Sequence, residues 1–357
     1  MDNIKERRCN IELLRILAML MVVSCHYVGH SNLNFDLETN IGRINLFISK
    51  FCNWGLVANN VFIIITGYFL IESKFKIKKI VSLIFETLFY SISFMFLIYF
   101  INSDMLSIKN LIKAIFPIIW NNWFVIYYII LYVISPFLNE YLKSISAKKH
   151  KQIIILLTFL FYVVPTFTNN AWGFTRHDYF ILAYLIGAYI RMYYDVEKKD
   201  LLKKNIFVFL IVIVFLIIYI NMMIIFFKDN CNVYKLAGYI IENDFSIINL
   251  ILAINLFIIF KNIKIYWKKI NTISQSVIGV YLIHENMFLQ EIIWNKISPA
   301  SLYQDNWCFA IHLIIKVLIV FILALIIDKI RLMLFKKIEI KIEDKIINII
   351  NYIKERI

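Results

Sequence analysis

Long runs of apolar residues constrain the fold of this chain more than any other feature of its sequence. Short polar segments separate these runs, and 61% of the 357 residues are hydrophobic. A run of about 20 apolar residues crosses the hydrocarbon core of a bilayer as one α-helix. The sequence therefore predicts an all-α, polytopic integral membrane protein. We predict ten spans, at about residues 11–29, 54–72, 80–101, 123–142, 152–168, 179–194, 205–227, 244–260, 272–295 and 307–327.

The distribution of charge predicts how these spans are oriented. The chain has 38 Lys and Arg against 24 Asp and Glu, a net charge of +14. Most of the basic residues fall in every second polar segment, counted from the N-terminus, and cytoplasmic loops carry such an excess. We therefore expect both termini to be cytoplasmic. Because the basic residues lie in short segments beside apolar runs, they favour a lipid bilayer as partner and argue against nucleic acid.

The sequence becomes charged after the last predicted span but keeps a helical spacing of apolar residues. Ile342, Ile346, Ile349 and Ile353 recur at intervals of three or four, with charged residues between them. Such spacing is typical of an amphipathic helix on the inner leaflet, and also of a solvated helix docked on the bundle. We accordingly predict a membrane domain over residues 1–330 and a cytoplasmic amphipathic tail over residues 331–357.

The first span contains a cation and an imidazole on one helical face. Arg15 and His26 are eleven residues apart, which is about three turns and about 16 Å along a helix. Such groups are costly inside a membrane and are therefore functional candidates. Arg15 could bind an anion, and His26 could act as general base or nucleophile, although a packed histidine is the alternative. Glu12, one turn before Arg15, could orient it or form a structural ion pair with it.

Further candidates lie near the ends of other spans. Lys74 and Lys76 follow the second span and could hold a phosphorylated ligand or simply mark a cytoplasmic loop. Trp123 begins the fourth span, where it could stack on a sugar ring or anchor the helix at the interface. The ninth span is unusually polar, with Tyr281 and His284, so it should face the protein interior. No metal-binding or phosphate-loop pattern is present, and we expect no metal.

At these positions the sequence resembles the membrane acyltransferase-3 family. The family begins with a pattern close to R-x3-[DE]-x-L-R-x2-A and a later histidine. The matching residues here are Arg8, Glu12, Leu14, Arg15, Ala18 and His26. The segment Thr66-Gly67-Tyr68 resembles the family's Ser-Gly-Phe/Tyr segment, and residues 123–136 and 279–284 resemble further family segments. Threonine and glutamate replace the commoner serine and aspartate, and the likeness covers essentially the whole membrane region.

The resemblance implies a function and a location. Members of this family are multi-helix bacterial proteins that O-acylate cell-surface sugars. The acyl donor would be an acyl-CoA, usually acetyl-CoA, bound from the cytoplasm as co-substrate, with no tightly bound cofactor. The acceptor would be a hydroxyl of a glycan that is lipid-linked or outside the membrane. We expect a multi-pass protein of the bacterial plasma membrane, without the extracytoplasmic esterase-like domain that many members add.

The resemblance and the residues together assign expected roles. The expected catalytic residues are His26 and Glu12. The expected donor-binding residues are Arg15, Arg8, Lys74 and Lys76. The expected acceptor-pocket residues are Thr66, Gly67, Tyr68, Trp123, Tyr281 and His284. Two other functions stay open on the sequence: a transporter or flippase of a lipid-linked sugar or polysaccharide, and a structural or sensory membrane protein in which the polar residues are merely packed.

Overall fold

The computed structural model describes residues 9–101, 107–168, 176–194, 199–226, 237–238, 240–243 and 245–354. All regular structure within these residues is helical, which confirms the all-α, polytopic membrane fold. The helices are α1 (Cys9–His30), α2 (Asn40–Phe51), α3 (Gly55–Leu70), α4 (Ile77–Ile101), α5 (Ile108–Ile115), α6 (Pro117–Trp120), α7 (Trp123–Ser144), α8 (Ala147–Thr158), α9 (Val164–Thr168), α10 (Arg176–Tyr193), α11 (Lys199–Phe226), α12 (Ile247–Asn262), α13 (Lys268–Ser274), α14 (Val277–His284) and α15 (Phe309–Lys354).

Eight helical stretches in the described part of the chain are long and apolar enough to cross a bilayer. Helix α10 is not among the eight, and the predicted span at 272–295 is not one helix. That region is divided into α13, α14 and a π-helical turn at Ile292–Lys296. The prediction of ten spans and of two cytoplasmic termini stays a prediction.

At the break between α13 and α14, one side-chain bond and one backbone bond depart from the α-helical pattern. The hydroxyl of Ser274 donates to the carbonyl of Asn271, and the amide of Ser276 donates to the carbonyl of Ile273. Such local bonds offer the chain an alternative to continuous helix. Ser274, which makes the side-chain bond, is one of the polar residues that made this span unusual in the sequence.

Helix α3 lies at the centre of the bundle, where α1, α10 and α12 pack on it. The crossing of α3 and α10 is close because each helix places a glycine in it. A Cβ atom on Gly67 would lie 2.2 Å from the carbonyl oxygen of Tyr184, and one on Gly187 would lie 2.2 Å from that of Ile64. Small residues allow such backbone approach between membrane helices. Gly67, expected in the acceptor pocket, thus lies in this helix crossing.

Helix α15 has 46 residues, about 69 Å of continuous helix, and passes residue 330 without interruption. The boundary predicted at that position coincides with no helix end, and the division into domain and tail stays a prediction. Beyond it, α15 remains tied to α4 by buried charges. Arg331 lies 3.0 Å from Glu86, 3.0 Å from Asp328 and 3.1 Å from Glu339. The part of α15 that follows residue 330 is therefore packed on the bundle.

Candidate active site

A network of histidine and glutamate side chains joins α1 to the end of α14. His26 Nδ1 lies 2.9 Å from His284 Nε2 and 2.9 Å from Glu285 Oε2. His30, one turn beyond His26, places its Nε2 atom 3.2 Å from the same glutamate oxygen. Gln290 donates to the other carboxylate oxygen of Glu285 over 3.3 Å. His284 is fully buried, and the remaining side chains are partly exposed, so the network reaches from the protein interior to one surface.

The hydrogen bonds fix which nitrogen of His26 is free. His284 Nδ1 lies 2.6 Å from the carbonyl oxygen of Val280, which can only accept. This nitrogen therefore donates, and Nε2 of a neutral His284 accepts. His26 Nδ1 is then the donor toward His284 and Glu285, and the lone pair of His26 lies on Nε2. A histidine held by a carboxylate in this way has the tautomer that a general base requires.

Next to His26 lies a cavity of about 200 Å³, here called the outer cavity. Helices α1, α3, α7 and α14 line it, mostly with apolar and aromatic side chains. Its polar or aromatic lining includes His26, Asn59, Trp123, Phe124 and Tyr281. Flat aromatic rings with a few polar groups are the usual lining of a site for a small organic ligand.

A second cavity of about 470 Å³, here called the inner cavity, lies toward the start of α1. Three cations, Arg15, Lys78 and Lys79, line it together with two carboxylates, Glu86 and Glu343, and several hydroxyl and amide side chains. The two cavities are adjacent because they share three lining residues, namely Phe62, Phe124 and Ile278. Helix α1 thus contributes to both cavities, with Arg15 in the inner one and His26 among its four residues in the outer one.

Glu12 lies with Arg15 and away from His26. Its Oε2 atom is 3.9 Å from Arg15 NH1, and its side chain is buried. Fourteen residues separate it from His26, which is about 21 Å along a helix. The position fits orientation of Arg15, while direct contact with the reacting groups at His26 is out of reach. Arg8, the other expected donor-binding residue near this end, lies outside the described residues.

The basic residues that follow α3 divide between the surface and the inner cavity. Lys74 and Lys76 are exposed and do not line either cavity. Helix α4 begins at Ile77, and its first turn directs Lys78 and Lys79 to the inner cavity instead. The sequence indicated the basic cluster correctly but gave no means of choosing among its lysines, because that choice depends on where the helix begins.

The residues expected in the acceptor pocket occupy different places. Trp123 and Tyr281 line the outer cavity, and His284 contacts His26. Thr66 lines the inner cavity and donates its hydroxyl hydrogen to the carbonyl of Phe62.

Tyr68 faces away from both cavities. Its hydroxyl accepts a hydrogen bond of 3.2 Å from Arg191 NH1, and the Arg191 guanidinium also pairs with Glu72. Together with Gly67 in the α3–α10 crossing, Tyr68 therefore belongs to the packing of α3 on α10. The family-like segment at 66–68 thus contributes its first residue to a cavity and its other two to helix packing.

Sequence reasoning gave no role to Glu285, Gln290 or Asn59. In one continuous helix, adjacent residues point about 100° apart, so His284 and Glu285 would not both face α1. Because α14 ends at His284, the next residue turns back and both side chains reach His26. The only signal in the sequence was the position of Glu285 directly after a histidine already considered for chemistry.

Three atoms of this network are also of the types that bind metals. Donor atoms of His26, His284 and Glu285 lie within 4.8 Å of one another. The hydrogen bonds described above already account for these atoms, and the sequence carries no metal-binding pattern. The expectation of no metal stays a prediction, and we base no chemistry on a metal here.

Comparison with known proteins agrees with this geometry. The family model of the acyltransferase-3 family, described as an acyltransferase domain, matches residues 10–328. That range includes the histidine network and every residue that lines the two cavities except Glu343. Neither a curated protein nor a solved structure gives a significant match to the chain. Because the family model covers most of the sequence, the chain belongs to the acyltransferase-3 family and is a membrane acyltransferase.

Proposed function

We propose that this acyltransferase takes an acyl group, with acetyl the expected one, from cytoplasmic acyl-CoA. The acceptor in this proposal is a hydroxyl of an extracytoplasmic or lipid-linked glycan. The observation that carries the proposal is the pair of adjacent cavities along α1. The inner cavity has three cations for a polyanionic donor, and the outer cavity has a histidine base among aromatic residues. A long, flexible pantetheine arm could join the two past Phe62, Phe124 and Ile278.

The donor would bind by its phosphates in the inner cavity. Arg15 offers several donors that suit phosphate oxygens, and Lys78 and Lys79 add two point charges. Glu12 holds Arg15 from the opposite side to the ligand. The thioester would then reach His26, about 16 Å farther along α1.

The acyl transfer would take place in the outer cavity. The acceptor hydroxyl oxygen attacks the thioester carbonyl carbon while His26 Nε2 takes the hydroxyl proton. The carbon–sulfur bond breaks, and the imidazolium returns that proton to the leaving thiolate. Glu285 and His284 hold His26 Nδ1, so Nε2 stays the basic atom. Trp123 and Tyr281 would stack on the acceptor sugar.

The test uses purified protein in nanodiscs with radiolabelled acetyl-CoA and a panel of glycan acceptors. We expect wild type to release CoA and label an acceptor, His26→Ala to label none, and Arg15→Ala to bind the donor more weakly. Arg43→Ala, at a partly exposed position of α2 that lines neither cavity, serves as the control. A His26→Gln variant guards against loss through misfolding.

The rival transporter hypothesis makes a different prediction for the same preparation. It expects a lipid-linked sugar to cross the bilayer without any acylated product, and it expects no donor binding. Full label transfer by His26→Ala would disprove the role of this histidine, and absence of CoA binding in wild type would favour the transporter.

A further inference from the structure

Helix α15 contributes one side chain to the lining of the inner cavity. Glu343 lines this cavity from α15, opposite Lys78 and Lys79 at the start of α4. Its side chain is only 4% exposed. Buried contacts of Arg331 hold this part of α15 against α4. A segment that the sequence assigns to a separate tail thus supplies one of the two carboxylates that line this cavity, the other being Glu86 of α4.

Lys78 is bound to α15 by two carboxylates. Its Nζ atom lies 2.9 Å from Asp344 Oδ1 and 3.5 Å from Glu343 Oε2. The Lys78 side chain is 46% exposed and that of Asp344 is 58% exposed, so water competes for the pair. Ion pairs at such positions contribute little and exchange readily. Lys78 therefore lies at the cavity without being committed to one partner.

We propose that Lys78 exchanges partners when the donor binds. Glu343 and Asp344 hold Lys78 before the donor binds, and a phosphate of the donor then replaces these two carboxylates. The inference rests on the proposed function, because it takes a CoA thioester as the ligand of the inner cavity. A phosphate carries more charge and more acceptor oxygens than a carboxylate, and Lys79 and Arg15 add to its attraction.

Through this exchange, Glu343 and Asp344 would make the affinity for a donor depend on the charge of that donor. A phosphorylated donor compensates for the loss of the two carboxylates, whereas an uncharged thiol such as pantetheine cannot. Glu343 and Asp344 would therefore lower affinity for a donor whose phosphate displaces them from Lys78, and would leave the binding of an uncharged thiol unchanged.

The test is a double-mutant cycle on CoA binding, measured calorimetrically in nanodiscs of zwitterionic lipid. We expect Glu343→Gln with Asp344→Asn to bind CoA about fivefold more tightly, and Lys78→Ala about fivefold more weakly. With Lys78→Ala present, the gain from the two carboxylate substitutions should largely disappear. Pantetheine binding should not change in any variant. The controls are Glu140→Gln and Lys148→Ala, exposed charges at other helix ends on the side of the bundle predicted to be cytoplasmic.

Asp344→Asn alone, at an exposed position, keeps the test valid should the buried Glu343→Gln change destabilise the protein. A gain of equal size with and without Lys78 would overturn the exchange, because simple charge repulsion would then explain it. If wild type binds CoA but the cycle is additive, this inference is wrong and the proposed function stands. If wild type binds no CoA, the proposed function and this inference are both wrong.

Discussion

Replacing Glu285 with Gln isolates the contribution of the outer network to catalysis. The substitution keeps the shape of the side chain but removes its charge. In wild type, Glu285 Oε2 lies 2.9 Å from His26 Nδ1 and 3.2 Å from His30 Nε2. The carboxylate therefore contacts the imidazole nitrogen opposite the one that takes the proton. We expect the charge to matter most when His26 becomes an imidazolium.

The size of the effect follows from this contact. A hydrogen bond to a charged group contributes about 1.5–3 kcal/mol. The Glu285 side chain is 15% exposed, so solvent screens the interaction little. Because each 1.36 kcal/mol in a barrier is tenfold in rate, Glu285→Gln should lower kcat by about 10- to 150-fold. Donor KM should change little, because the donor's phosphates bind in the other cavity.

The assay is the steady-state rate of CoA release with acceptor present, at varied donor concentration. Glu291→Gln is the matched control: the same chemical change six residues later, at an exposed glutamate that bonds Asn295. A kcat for Glu285→Gln within twofold of wild type would refute the role of the carboxylate. A raised KM with unchanged kcat would place Glu285 in donor binding instead.

Three further predictions concern packing and the passage between the cavities. Gly67→Ala should lower the free energy of unfolding by about 1–3 kcal/mol, because its Cβ atom would collide with the Tyr184 carbonyl. Thermal unfolding measures this loss, and Gly29→Ala, which has open space around it, is the control that should be nearly neutral. Arg331→Met should cost about 3–5 kcal/mol by leaving three carboxylates around it unpaired, and unchanged thermal stability would contradict this. Phe62→Trp should narrow the passage and lower acyl transfer severalfold while CoA binding stays constant, and loss of both together would argue against a passage.

Local periodicity was enough to predict the helical membrane fold and the shared face of Arg15 and His26. Both depend on repeats of a few residues within one helix, which the sequence displays directly. The polar composition of the ninth span predicted that Tyr281 and His284 face the protein interior, where Tyr281 lines the outer cavity and His284 contacts His26. Features that depend on the spacing of residues along one helix could therefore be predicted from the sequence.

Contacts between distant parts of the chain were beyond that reasoning. Lys78 pairs with Asp344 across 266 positions, and Arg331 with Glu86 across 245. No periodicity relates such residues, so the sequence could not show that α15 closes the inner cavity. Glu285 was missed for a different reason: its orientation depends on the end of α14, and helix ends are the least predictable feature of a sequence.

The proposed function predicts that acyl-CoA on the cytoplasmic side reacts with an acceptor on the other side of the membrane. Proteoliposomes with oriented protein test it most directly, with labelled acetyl-CoA supplied only on the side of the inner cavity and a glycan acceptor only on the other. We expect the labelled acetyl group to appear on the acceptor without leakage of CoA. We expect no labelled acceptor when the two sides are reversed or when His26 is replaced by alanine. Label that forms only when donor and acceptor share one side would contradict the account.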